Sequence, residues 1–93
     1  MAKNPITLLL SDTVTCAVFQ EILKNRSAIL KHLRQTVAAQ NRVLPSEIDR
    51  AVEGLLDADL VKEHRAEISD FNSYYVTADG LSAERQLRLA LAS

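Results

Sequence analysis

Two glycines and two prolines in 93 residues restrict this chain more than any other feature. Glycine supplies left-handed turns and proline supplies preset ones. A chain almost without either has few ways to reverse sharply, so helix is expected to dominate. The length suits a single domain over residues 1–93. Such a domain buries only about 60–65% of the surface its unfolded chain exposes. Association with a second copy would extend its core.

Several function classes drop out on composition. One cysteine, Cys16, leaves no internal disulfide framework and no cysteine-based zinc cluster. His32 and His64 stand far apart without ligand spacing, so no metal or other cofactor is expected. No apolar run reaches the length of a membrane span, and Ile6–Leu10 is too short for a signal-peptide core. A cytoplasmic protein is expected. No nucleophile–base pair or phosphate loop can be named. Glu47 with Asp49, and Asp57 with Asp59, are two residues apart on a helix and so do not share a face. The chain does not read as an enzyme.

The charge is unevenly placed within a formal net of −1. Residues 1–45 hold Lys3, Lys24, Arg26, Lys31, Arg34 and Arg42 against Asp12 and Glu21 alone. Most carboxylates lie beyond residue 45. A small domain with one basic face can bind a polyanion, because local potential matters more than the sum. Two solvated faces that only keep the chain soluble would produce the same pattern.

Apolar spacing locates the elements. Asn4-Pro5 reads as a helix start, with Asn as cap and Pro in the first turn. Apolar residues then recur at Ile6, Leu9, Leu10, Val14, Ala17, Val18, Phe19, Ile22 and Leu23. That spacing fits helix over 5–24, either one rod or a short lead-in and a second helix capped near Ser11 or Asp12. The β-branched run at Thr13-Val14-Thr15 leaves both forms open. Ser27 is expected to cap the next helix, which runs to about Gln40 with Ala28, Ile29, Leu33 and Val37 on its inner row. A third helix starts at Pro45, with Ser46 and Asp49 as a weak capping box. Ile48, Val52, Leu55 and Leu56 form its buried row. Leu60–His64 changes to the period of a strand, and Tyr74–Thr77 reads as a second strand. The arm between them, Arg65–Phe71, is too long for a tight turn and is expected to have a flexible tip. Thr77 caps a last helix, whose face is expected to hold Leu81, Glu84, Leu87 or Arg88, and Leu91.

The stretch PSEIDRAVEGLLDADLVKE, followed a dozen residues later by YYVTADGL, resembles the winged helix-turn-helix superfamily of small prokaryotic transcription regulators. The likeness covers about residues 26–90. The spacing of the second and third helices is closest to the phenolic-acid-responsive type. The resemblance implies a mainly α fold with a small β-hairpin: a three-helix core, a wing and a C-terminal helix. Its parts are an N-terminal helical segment over 5–24, a helix-turn-helix over 27–59, a wing over 60–77 and a closing helix over 78–91. It also implies a left-handed residue after the third helix, at Asp59, and inward-pointing Leu60 and Tyr75.

A DNA-binding regulator is the function this resemblance implies. The third helix would present Ser46 and Arg50 to the major groove. Lys31, Arg34 and Arg42 would meet phosphates, and Lys62, His64 and Arg65 would carry the wing toward the minor groove. Glu47, Asp49 and Glu53 on the same helix oppose phosphate. A protein-binding winged helix is therefore the alternative, favoured by that acidic helix and by exposed Phe71 and Tyr74. A homodimer is expected through Ile6, Leu9, Leu10, Leu87 and Leu91, because the terminal segments carry more apolar surface than the core needs.

Overall fold

Asp12 divides the N-terminal helical segment. The computed structural model describes residues 5–92, with side chains from residue 7 onward; the cap expected at Asn4 lies outside the described residues. Helix α1 (Pro5–Ser11) stops where Asp12 turns extended (φ −128°, ψ 105°). The Asp12 carboxylate accepts the backbone N–H groups of Val14 (3.0 Å) and Thr15 (3.3 Å). Those are two of the four donors that a new helix leaves unpaired. Helix α2 (Thr13–Asn25) follows and buries Val18, Phe19 and Ile22.

The next helix does not begin at Ser27. Arg26 ends α2 at φ 67°, and Ser27–Ile29 forms strand β1. Helix α3 starts at Leu30 and spans residues 30–41, with a wide π turn at Leu33–Val37. Strand β1 pairs antiparallel with strand β3 (Ser73–Val76), Ala28 opposite Tyr74. Without β1, that edge of β3 would leave backbone groups unpaired. Three residues carry no periodicity, so this strand has no signature in the sequence.

Helix α4 (Pro45–Asp57) starts after extended Leu44 (φ −77°, ψ 150°), as a residue before proline must. Its capping box is not Ser46 with Asp49. Glu47 Oε2 accepts the Leu44 N–H at 3.0 Å, and Asp49 turns elsewhere. The buried row is Ile48, Ala51, Val52 and Leu55. Asp59 closes α4 at φ 59°. The Leu60 N–H returns to Leu55 O (3.1 Å) and the Asp59 N–H to Leu56 O (3.0 Å), the Schellman arrangement. Leu55 and Leu60 are both fully buried, and supply the apolar contact that accompanies it. Aspartate in the left-handed region is strained relative to glycine. Asp59→Gly should therefore raise stability by about 0.5–1 kcal/mol, read as a higher urea midpoint at unchanged slope.

Strand β2 (Val61–His64) pairs with β3, Val61 opposite Val76 and Glu63 opposite Tyr74, giving the order β1-β3-β2. This register corrects the expected inward tyrosine. Tyr74 is buried, 2% exposed, and Tyr75 is 43% exposed. Adjacent tyrosines must point to opposite faces, and either is amphipathic enough for either side; only the register decides. Helix α5 (Ala78–Ala92) closes the chain. It buries Gly80, Ala83 and Leu87, not the row Leu81–Glu84–Leu91. Its first turn, close against the end of α4 and against β3, sets that rotation.

Mostly helical, with one small antiparallel sheet, the chain centres its core on Phe19, Ile22, Leu33, Ile48, Leu55 and Leu60, none of them exposed. Among the described residues no helix is long and apolar enough to cross a membrane.

Candidate nucleic-acid interface

The eight residues expected to meet DNA lie on three elements and two turns. Lys31 is exposed in the first turn of α3. Arg42 is exposed after its end, at φ 55°. Ser46 and Arg50 are exposed on α4. Lys62 and His64 stand exposed on β2, Lys62 opposite Tyr75. Arg65 is exposed beyond β2, where its Nε donates to Glu63 Oε1 at 2.8 Å.

Arg34 differs from the rest. Its Nε and Nη2 donate to the two carboxylate oxygens of Asp49 at 2.8 and 2.9 Å, and Nη1 donates to Asp70 at 2.8 Å. The guanidinium is half-buried, and the Asp49 carboxylate holds its pKa above the usual arginine value. A bidentate fork fits this role better than lysine's point charge. Arg34 therefore fastens α3 to α4 and to the hairpin arm, and its charge is committed within the chain. Arg34→Ala should cost about 1–2 kcal/mol, above an ordinary surface pair because it leaves two carboxylates unmatched. Arg34→Lys should recover less than half of that in urea denaturation.

The arm that Arg34 meets contains a short turn of its own. Ser69–Phe71 makes a 3-10 turn. Asn72 Oδ1 accepts the Ala66 N–H at 2.8 Å, and Asn72 O accepts the Leu30 N–H at 2.8 Å. Asn72 O and the Asp70 carboxylate thus tie the arm to α3, while Phe71 and Ile68 remain 50% and 59% exposed.

A second polar group lies between α2 and α3. The Glu21 carboxylate meets His32 Nε2 at 2.9 Å and accepts from Asn25 Nδ2 at 3.1 Å, and Thr36 Oγ1 lies 3.3 Å from His32 Nδ1. The His32 contact, ahead of the opposing effect of burial, holds the Glu21 pKa below its usual value. Among the described residues no group of three or more His, Cys, Asp or Glu side chains is placed to hold a metal ion.

Tyr74 and Glu63 form the third polar group. Burial, then the Glu63 carboxylate, pushes the Tyr74 phenol from 10.0 up to about 12. Glu63 in turn lies below the usual carboxylate value, first through Arg65 and also through Tyr74. The raised phenol favours the folded state fully below pH 10, and this contribution is lost as pH rises toward 12. In Tyr75→Phe, Tyr74 is the sole tyrosine. Its phenolate absorbance should rise with a midpoint at about pH 12, and Glu63→Gln should lower that midpoint.

The residues expected at a dimer interface divide. Leu9 and Leu87 are 1% and 2% exposed; α1 lies against α2 and α5, and both leucines belong to the chain's own core. Leu10 and Leu91 are exposed at 51% and 64%. The side chain of Ile6 lies outside the described residues. Sequence reasoning missed Asp49 and Asp70 as the partners of Arg34, and it placed Tyr74 on the surface. No local signal joins Arg34 to residues 15 and 36 positions away.

Comparison of the chain with protein families, with curated proteins and with solved structures returns no match.

Proposed function

We propose that this chain is a winged-helix protein that binds duplex DNA, as a small transcriptional regulator does. The reading rests on the sequence resemblance, and on a three-helix core, a hairpin and a closing helix of the kind that resemblance implies. The observation that carries it is the pairing of Arg34 with Asp49. A helix read into the major groove offers its N-terminal half to the bases. On α4 that half exposes Ser46, Glu47 and Arg50. Asp49 is neutralised by Arg34, and Glu47 is turned back onto the Leu44 N–H. Glu53 and Asp57 lie about 10 Å or more farther along the axis from Ser46, at 1.5 Å per residue. The acidity of α4 is thus weakest where contact would be closest. Lys31, Arg42, Lys62, His64 and Arg65 supply the phosphate contacts, with Arg34 bracing the surface instead of touching DNA.

Fluorescence anisotropy of the full chain against mixed-sequence duplex, from about 50 to 200 mM salt, tests the proposal. Micromolar binding with a steep negative salt slope is expected. Lys31→Ala and Arg42→Ala should each reduce the slope by about one. No binding at the lowest salt would overturn it. The exposed Phe71 and Ile68 on the arm favour a protein-binding module as the second reading.

A further inference from the structure

Helix α5 leaves apolar surface outside the core. Leu81, Leu89 and Leu91 are 51%, 68% and 64% exposed. Besides the buried Leu87, four of its residues, Leu81, Glu84, Arg88 and Leu91, line one groove of about 550 Å³ with Gln20, Leu23 and Lys24 of α2. Their spacing of three, four and three residues aligns them along a single helix face. Read in reverse, the row Leu-Glu-Arg-Leu repeats itself with the two charges exchanged.

We propose that this groove is filled by α5 of a second copy of the chain, packed antiparallel about a two-fold axis level with Gln86. In that register Leu81 meets Leu91 of the second copy, and Glu84 meets Arg88 of the second copy. Two-fold symmetry makes each contact twice. Parallel packing in register sets Glu84 against Glu84 and Arg88 against Arg88, so charge selects the antiparallel arrangement. In the single chain Arg88 donates to Glu84 on its own helix, with side chains 77% and 25% exposed. An exposed pair of this kind contributes little, and exchanging it for the same pair between chains is easy. A neighbouring apolar groove of about 400 Å³, lined by Leu10, Cys16 and Ala17 and sharing Leu91, continues the surface toward α1. The reversed charge order is what points to a copy of this chain rather than to an unrelated helix. The proposal does not depend on DNA binding, which a monomer can also show or lack.

Sedimentation of the full chain at micromolar concentration tests it. The unaltered protein should be a dimer. Glu84→Arg and Arg88→Glu should each weaken the dimer by about tenfold or more. In one variant both charges of the row are positive, and in the other both are negative. An equimolar mixture of the two should therefore associate again, which no repair within one chain can produce. A monomeric unaltered protein, a dimer indifferent to both substitutions, or a mixture that stays dissociated would overturn the proposal. Should either variant lose its helical circular dichroism, cross-linking replaces it. In a Cys16→Ala background, Leu81→Cys and Leu91→Cys proteins mixed under oxidising conditions should cross-link more than either alone. Equal cross-linking in all three samples would refute the register.

Discussion

Gly80→Ala should destabilise the chain by about 3 kcal/mol or more, although alanine is the better helix former by about 1 kcal/mol. A Cβ at this position would stand 2.2 Å from Leu60 O and 2.6 Å from Val76 Cγ2, far inside van der Waals contact. The oxygen is backbone and accepts the Thr77 N–H at 3.1 Å, so it cannot move without loosening the joint between α4, β3 and α5. Gly54, the other glycine, supplies the control. It lies within α4, and an added Cβ there meets nothing within 4 Å. Gly54→Ala should stabilise by about 0.5–1 kcal/mol. Thermal melts of the two variants should therefore move in opposite directions, with Gly80→Ala lower by more than about 10 °C. Two shifts of the same sign would show that α5 does not approach the α4–β2 junction this closely.

Thr77→Val should cost about 2 kcal/mol. The Thr77 hydroxyl accepts the Gly80 N–H at 2.9 Å and donates to Asp59 O at 2.6 Å. It caps α5 and binds that cap to the left-handed residue that ends α4. Loss of a cap costs about 1 kcal/mol, and loss of a second hydrogen bond about as much again. Valine keeps the shape and removes both. Thr77→Ser should retain most of the stability, because the hydroxyl carries the effect. A melting point for Thr77→Val within about 2 °C of the parent would contradict this account.

Much of the helical framework is legible in the sequence. The row Ile48, Val52, Leu55 is buried as its spacing implies. Leu44 is extended because a proline follows it. Asp59 takes the left-handed position and Thr77 the cap. Asp12, one of two candidate breaks, divides the first segment. In each case the residue and its partner lie within one or two turns of chain. The expected interface is legible only in part. The exposed cations can be named from composition and spacing, but Arg34 cannot be separated from them.

What the sequence by itself determined, then, is where α2, α4 and α5 start and which rows of α2 and α4 are apolar, since these depend on neighbours a few residues away. Tertiary structure alone decided four other things. These are the strand at Ser27–Ile29, the burial of Tyr74 instead of Tyr75, the commitment of Arg34 to Asp49 and Asp70, and the turning of α5 onto Ala83 and Leu87. Each depends on which surfaces meet across long separations in the chain. The glycines illustrate the difference. Arg26, Arg42 and Asp59 occupy the left-handed positions that glycine would suit. Gly80 is required because a backbone oxygen from Leu60, 20 residues earlier, occupies the space of its missing side chain.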